Sequence, residues 1–215
     1  MNKEVYDSIL SDKIIAIVRG VRTEHIADTM ESLLAGGIRN VEITFDYSCD
    51  EGYNTTLQNL QIVSAKFGSR INLGAGTVLD VKSVEDAVRA GAEYIISPNT
   101  DESVILRTKK LGKISMPGAF SPTEIVAARN MGADIVKVFP AGDLGAGYIK
   151  SVFAPLSHIP MAAVGGVTVD NMCEFLAAGV KCVGIGGNLV SAKLTGSGKF
   201  EEITRRAREF CSKLI

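Results

Sequence analysis

The sequence predicts a single-domain (β/α)8 (TIM) barrel over residues 1–215, with a short helix ahead of the first strand. Three observations predict this fold: short apolar segments recur eight times, segments with helix start signals separate them, and a glycine-containing phrase closes most of those helices. The eight predicted strands are Ile14–Arg19, Val41–Phe45, Ile71–Thr77, Tyr94–Pro98, Ile114–Gly118, Ile135–Pro140, Pro160–Gly166 and Cys182–Gly187.

Most of these strand segments are apolar almost without interruption, and they do not alternate with polar residues. Continuous apolar runs of this length are typical of parallel strands that are covered on both faces. The pattern therefore favours a parallel sheet with helices outside it.

The segments between the strands carry helix start signals. We expect helices to begin near Thr23, which leads into His25–Leu34, near Ser83, and at Ser121-Pro122-Thr123-Glu124. In the last of these, Ser is the N-cap, Pro stands at the first helical position and Glu at the third, which is a capping-box arrangement. A final helix is predicted over Phe200–Leu214.

The predicted helices end in similar phrases, in which a glycine suits the left-handed position that closes a helix. These are Ala35-Gly36-Gly37, Ala90-Gly91-Ala92, Leu111-Gly112-Lys113, Met131-Gly132-Ala133 and Ala178-Gly179-Val180. A doubly wound open sheet is the alternative fold. It would more naturally show a GxGxxG phrase after the first strand, and the sequence has none there.

Composition and charge favour a small-molecule partner or a second copy of the chain. The formal net charge is −1, with 46% hydrophobic and 22% charged residues, and no basic stripe or acidic tail points to nucleic acid or a membrane surface. Apolar runs such as Ile14–Val18 are far shorter than the roughly 20 residues that span a bilayer. The first residues lack a signal-peptide pattern, and the four cysteines show no CxxC spacing, so we expect a cytoplasmic protein.

Lys137 is a charged residue inside an apolar strand, at the end of the barrel where working residues lie. Burial disfavours the ammonium form, so the pKa of this lysine should fall, and a free amine can attack a carbonyl to form an iminium ion. Two other interpretations stay open on local sequence alone: the amine reaches solvent at the barrel mouth, or it only binds phosphate.

Two further charges lie at the ends of predicted strands. Glu42 is a candidate general acid and base, with an ion pair to Arg19 or Lys137 as the structural alternative. Arg19 ends the first strand and suits a carboxylate or phosphate, and a salt bridge to Glu42 is again the alternative.

Glycine pairs follow the seventh and eighth predicted strands, namely Gly165-Gly166 and Gly186-Gly187. Barrels often hold a phosphate there, because bare backbone N–H groups and a following helix N-terminus can approach the anion. The two histidines, His25 and His158, lie away from the strand C-termini, so we expect no zinc or iron centre.

Eight motifs in this order resemble the family of 2-keto-3-deoxy-6-phosphogluconate (KDPG) and 4-hydroxy-2-oxoglutarate (KHG) aldolases, which includes a 6-phosphogalactonate branch. They are IVRG (17–20), VEIT (41–44), GAGTVL (74–79), ISPN (96–99), MPG (116–118), VKVFPA (136–141), AVGGVT (163–168) and GIGGN (184–188). The resemblance runs from about Ile14 to Val190.

The resemblance implies that Lys137 forms a Schiff base and that Glu42 moves protons. It further implies that Thr77 binds the pyruvyl carboxylate, that Pro98 and Phe139 wall the site, and that a homotrimer acts on a phosphorylated keto acid without a cofactor or metal. The residues implied to hold the phosphate are Gly165, Gly166, Gly186, Gly187 and Asn188, the last of which stands where some members have serine. The products would be pyruvate and glyceraldehyde 3-phosphate, or pyruvate and glyoxylate from 4-hydroxy-2-oxoglutarate.

Asp46 departs from the gluconate-specific members, which carry an arginine four residues after the catalytic glutamate. Arg19 therefore becomes the better candidate for binding the carboxylate, and the 145–150 and 163–168 segments look closer to the galactonate branch. Two rival functions remain open: a phosphosugar isomerase or epimerase that uses Glu42 as a base, and a barrel that only binds a phosphorylated ligand.

Overall fold

The computed structural model describes residues 2–214 as one barrel in which helices follow strands. The strands are β1 (Ile14–Val18), β2 (Asn40–Thr44), β3 (Asn72–Gly76), β4 (Tyr94–Ile96), β5 (Ile114–Met116), β6 (Gly118–Ala119), β7 (Val136–Val138), β8 (Met161–Val164) and β9 (Cys182–Ile185). The helices are α1 (Lys3–Asp12), α2 (Thr23–Ala35), α3 (Asp50–Phe67), α4 (Val81–Arg89), α5 (Glu102–Lys110), α6 (Pro122–Asn130), α7 (Ala141–Leu156), α8 (Met172–Ala177), α9 (Ala192–Gly196) and α10 (Phe200–Ser212).

All strand pairs are parallel, and their order is β5-β4-β3-β2-β1-β9-β8-β7-β6. The two ends of this order, β5 and β6, are consecutive pieces of the fifth predicted strand, so the same stretch of chain completes the ring. Pro117 separates them, since it has no N–H to donate to a ladder. The predicted (β/α)8 barrel is confirmed, with its fifth strand divided in two.

Side chains alternate between the inside of the barrel and the helical layer, as period two requires. On β1, Ile15 packs in the interior cluster, while Ile14, Ala16 and Val18 pack against the helices. Glu42 and Lys137 lie at positions that face inward, because their neighbours along each strand belong to the outer layer.

The predicted N-terminal helix, α1, closes the lower end of the barrel. Its Val5 and Ile9 are buried in the interior cluster together with Tyr94 and Ile114. A polar layer beside it joins Ser8 of α1 to the side chain of Asn72 at 2.7 Å. The barrel therefore has one blocked end and one open end.

The helix start predicted at Ser121 is confirmed, since Ser121 and Glu124 form a reciprocal capping box on α6. The start predicted near Ser83 is wrong by two residues. Helix α4 begins at Val81, because Asp80 is the N-cap and Ser83 is the third helical residue of a second capping box.

Each predicted helix-closing phrase contributes a glycine with positive φ, namely Gly37, Gly91, Gly112, Gly132 and Gly179. After α2 the left-handed residue is the second glycine of the pair, because Gly36 itself stays right-handed with φ −87°.

Between residues 2 and 214, no helix is both long and apolar enough to cross a membrane. The cytoplasmic location expected from the sequence stays a prediction.

Candidate active site

A cavity of about 240 Å³ opens at the C-terminal ends of the strands. All eleven residues that the sequence singles out line it: Arg19, Glu42, Thr77, Pro98, Lys137, Phe139, Gly165, Gly166, Gly186, Gly187 and Asn188. They come from β2, β7 and the loops after β1, β3, β4, β7, β8 and β9, so the barrel brings together groups that are far apart in sequence. Their individual roles stay predictions at this point.

Lys137 is the amine of the cavity. It lies on β7 between Val136 and Val138, which pack outward, and only 6% of it is exposed. Its Nζ lies 4.7 Å from the centre of the Phe139 ring. Burial lowers the pKa of Lys137 below the ordinary lysine value of 10.5, and the nearby Arg19 adds to this, while Glu42 opposes it. A larger share of this amine is therefore uncharged and nucleophilic near neutral pH than for an exposed lysine.

Glu42 is the carboxyl group of the same cavity and is 2% exposed. Its Oε1 accepts a hydrogen bond from the Thr44 hydroxyl at 3.1 Å, and its Oε2 has no hydrogen-bond partner. Burial raises the pKa of Glu42, against the opposing effects of Lys137, Thr44 and Arg19. A carboxyl group with a raised pKa and one free oxygen is suited to take up and return a proton near neutral pH.

Gly76 makes room for this carboxyl group. A Cβ atom at Gly76 would lie 1.5 Å from Glu42 Oε1, so any larger residue there would displace the glutamate. The second glycine of the GAGTVL motif, Gly76, thus has a steric role that the sequence did not reveal.

Arg19 and Thr77 lie together at the rim of the cavity. Arg19 is exposed, and its Nη2 donates to Thr77 Oγ1 at 3.2 Å. It forms no hydrogen bond with Glu42 Oε2, which has no partner. Thr77 holds a left-handed backbone with φ 56°, which is uncommon for a β-branched residue and concentrates at functional sites. A guanidinium beside a hydroxyl can bind a carboxylate.

Pro98 and Phe139 form a wall of the cavity. Phe139 is 36% exposed and leans over Gly165, where a Cβ atom would come within 3.1 Å of the ring. The aromatic face and the proline ring limit the width of anything bound at Lys137.

The loops after β8 and β9 lie side by side at the cavity, because β8 and β9 are neighbouring strands. Gly165 and Gly166 both have positive φ, at 89° and 71°, a backbone conformation that residues with a side chain rarely adopt. Asn188 donates its side-chain amide to Val167 O at 2.7 Å and so joins the two loops. The helix expected to support an anion here, α9, begins only at Ala192.

Asp46 lies outside this cavity and lines a neighbouring cleft between the β1–α2 and β2–α3 loops. It is exposed, and its Oδ1 accepts the backbone N–H of Ser48 at 2.9 Å. The hydrogen bonds from Ser48 lower the pKa of Asp46. This carboxylate therefore shapes its loop and takes no part in the lining around Lys137.

Sequence reasoning missed several residues of the site. Thr44, whose hydroxyl bonds Glu42, could have been found, since residues two apart on a strand share a face. The apolar lining is formed by Ile17, Val164, Val167 and Gly184, which lie within the IVRG, AVGGVT and GIGGN motifs but were given no role of their own.

Among residues 2–214, no cluster of three or more His, Cys, Asp or Glu side chains is placed to hold a metal ion. That the protein works without a metal or other cofactor stays a prediction.

A buried amine and a buried carboxyl group at the open end of a parallel barrel are the parts of an enzyme that forms a Schiff base with a carbonyl substrate. The model of the KDPG and KHG aldolase family matches residues 5–206. The chain belongs to this family. It is therefore an aldolase, which is a lyase.

Three relatives illustrate the similarity. The 2-dehydro-3-deoxy-6-phosphogalactonate aldolase of Escherichia coli strain K12 is 33% identical over 83% of this chain and 85% of its own. The solved native structure of KDPGal matches with a TM-score of 0.84 and 31% identity, over 94% of this chain and 93% of that one. The KDPG aldolase of Legionella pneumophila, captured with pyruvate as a covalent carbinolamine, matches with a TM-score of 0.84 and 25% identity over 94% and 95%.

Proposed function

We propose that this chain cleaves a 2-keto-3-deoxy-6-phospho sugar acid to pyruvate and glyceraldehyde 3-phosphate through a Schiff base on Lys137. The observation that carries the proposal is the pairing, in one cavity, of a desolvated lysine amine with a buried carboxyl group that has a free oxygen. A relative captured with pyruvate as a carbinolamine, the adduct that precedes a Schiff base, supports it.

In the proposed reaction, Lys137 Nζ adds to the C2 ketone, and loss of water gives an iminium ion. Glu42, as the carboxylate, removes the proton of the C4 hydroxyl through a water molecule. The C3–C4 bond then breaks, its electrons form the C2–C3 double bond of an enamine, and the C4 fragment leaves as the aldehyde. Glu42 returns a proton to C3, and water hydrolyses the iminium to release pyruvate and the free amine.

The two ends of the substrate would be held at different parts of the cavity. Arg19 and Thr77 present a guanidinium and a hydroxyl for the carboxylate next to C2. The backbone of Gly165, Gly166, Gly186 and Gly187 would hold the phosphate, with Asn188 keeping the two loops together. The aldol bond would then lie between these anchors, beside Lys137.

The galactonate form is the substrate we favour. Relatives named as 6-phosphogalactonate aldolases share 33% identity with this chain, whereas those named as phosphogluconate aldolases share 27–29%. Asp46 adds to this, since it stands where gluconate-specific members carry an arginine. A second proposed activity is the cleavage of 4-hydroxy-2-oxoglutarate, which has no phosphate.

Reductive trapping tests the proposed function. Incubation with pyruvate and borohydride should give a stable adduct on Lys137, located by peptide mass spectrometry, and Lys137→Ala should give none. Cleavage of the two C4 epimers and of 4-hydroxy-2-oxoglutarate should then rank the galactonate form first. An adduct that persists in Lys137→Ala would refute the role of Lys137, and absence of any adduct together with proton exchange on a ketose phosphate would favour an isomerase.

We also propose that the chain assembles as a homotrimer. Several large apolar side chains lie exposed on the outer surface, among them Leu106 and Phe120, which are 51% and 52% exposed. The proposal rests on the resemblance to the KDPG and KHG aldolases, which implies a homotrimer, and exposed apolar side chains of this size are available for contacts between subunits.

A further inference from the structure

Thr44 is the buried hydroxyl next to the carboxyl group of the site. It lies two residues after Glu42 on β2, so both side chains point into the barrel, and only 3% of Thr44 is exposed. Its Oγ1 donates to Glu42 Oε1 at 3.1 Å. This is the one hydrogen bond of the Glu42 carboxyl group among the described residues, since Oε2 has no partner.

The backbone of Thr44 is itself fixed from two sides. Thr56 of α3 donates its hydroxyl to Thr44 O at 3.3 Å, and the next residue, Phe45, donates its N–H to Gly76 O at 2.9 Å. Gly76 also leaves the space that Oε1 occupies, because a Cβ atom there would overlap it. The Oε1 side of the carboxyl group is thus enclosed by Thr44 and Gly76.

We propose that Thr44 is a positioning residue. Its hydroxyl bonds Oε1 of Glu42, so that Oε2 is the oxygen that takes up and returns protons. The inference rests on the proposed function, in which Glu42 moves the protons. A hydroxyl that donates to one carboxylate oxygen stops the group from rotating and leaves the other oxygen directed at the reacting atoms. It also stabilises the ionised form, which is the form that removes the C4 hydroxyl proton.

This hydrogen bond orients the carboxyl group and stabilises its ionised form, and both effects favour the removal of a proton by Glu42. Because the bond favours the carboxylate, it is one of the interactions that hold the pKa of Glu42 down against the effect of burial. Its removal should therefore raise the pKa of Glu42 further above the ordinary value. Activity that depends on ionised Glu42 would then begin at a higher pH. A purely structural threonine would not change the pH dependence.

Thr44→Val tests the proposal, because it keeps the shape and removes the hydroxyl. The acidic limb of the kcat profile should move up by about one pH unit, and kcat at neutral pH should fall about ten-fold, as expected for losing a hydrogen bond to a charged group. Thr44→Ser, which restores the hydroxyl, should return the limb toward the wild-type position. Thr108→Val is the matched control, since Thr108 is also fully buried but bonds Val104 O on α5, away from the cavity.

Two further measurements keep the result decisive. The yield of borohydride-trapped adduct after long incubation with pyruvate should equal that of the wild type in Thr44→Val, while exchange of the pyruvate methyl protons with deuterium slows. If Thr44→Val does not fold, Thr44→Ala serves in its place. An acidic limb that stays at the wild-type pH in a folded Thr44 variant would overturn the inference, whereas absence of any adduct in the wild type would instead refute the proposed function.

Discussion

At the scale of single residues, the site consists of two charged groups that the fold places where water cannot easily reach them. Glu42 and Lys137 are 2% and 6% exposed. Burial raises the pKa of Glu42 and lowers the pKa of Lys137, so it favours the neutral form of each group. Burial of this kind costs stability, because the unfolded chain hydrates both charges fully. Residues of an active site commonly make the folded protein less stable than other residues at the same positions would.

Glu42→Gln should make the protein more stable and inactive. The folded pKa of Glu42 is raised above its ordinary value of 4.5, so ionisation favours the unfolded chain and stability is lost as the pH rises from there through the folded pKa. Glutamine cannot ionise, so the variant should gain about 0.5–2 kcal/mol near neutral pH and little at pH 4. Its kcat should fall about 10²–10⁴-fold, the usual contribution of a general acid or base.

Thermal melts of both proteins from pH 4 to pH 8 measure this effect. The control is Glu201→Gln, which makes the same substitution at an exposed position outside the cavity. A stability difference for Glu42→Gln that stays constant over the whole range would contradict the prediction.

The sequence identified the two charges because each interrupts an apolar strand, a signal that needs no knowledge of neighbours in space. It could not show how the side chains pair. The bond from Arg19 to Thr77 and the amide of Asn188 turned toward Val167 O both depend on rotamers that only the folded loops select. For this reason the charged residues that line the cavity were predictable and their hydrogen bonding was not.

At the scale of secondary-structure elements, the sequence predicted the features that depend only on one strand and the helix next to it in the chain. The split of the fifth strand at Pro117 was not, because the ladder changes partner from β4 to β7 only once the ring has closed. The second glycine after α2 was equally ambiguous, since Gly36 and Gly37 look alike in sequence. The structure gives them different tasks: Gly37 ends the helix, and Gly36 allows α10 to approach.

Gly36→Ala should therefore destabilise the contact between α2 and α10. Gly36 has an ordinary φ of −87°, so no backbone strain arises, but its new Cβ would lie 2.2 Å from Ala207 Cβ. Overpacking of this kind costs about 1–3 kcal/mol. Urea unfolding measures the change, and catalysis by the folded fraction should be unaffected.

Gly147→Ala is the matched control for this helix contact. Gly147 lies in α7, and a Cβ atom added there would have no neighbouring atom within 4 Å, so alanine should be neutral or stabilise the helix by up to about 1 kcal/mol. Equal unfolding midpoints for Gly36→Ala and the wild type would show that α10 can move aside without cost.

At the scale of the whole molecule, the proposed trimer can be measured directly. Static light scattering should give three times the chain mass of 22.8 kDa, and the mass should persist on dilution into the micromolar range. A mass of 22.8 kDa at all concentrations would contradict the proposal and leave the exposed side chains of Leu106 and Phe120 without a partner.

Helix α1, which closes the lower end of the barrel, has a kinetic consequence. Because Val5 and Ile9 close that end together with the rest of the interior cluster, a molecule that enters the cavity at the open end must leave the same way. During proposed turnover, the pyruvyl part is covalently tied at the bottom of this dead-end chamber, while the phosphorylated aldehyde lies nearer the exit. The aldehyde must depart first, and in the synthetic direction pyruvate must bind before it, so the covalent bond to Lys137 and the single opening together impose an ordered sequence of binding and release.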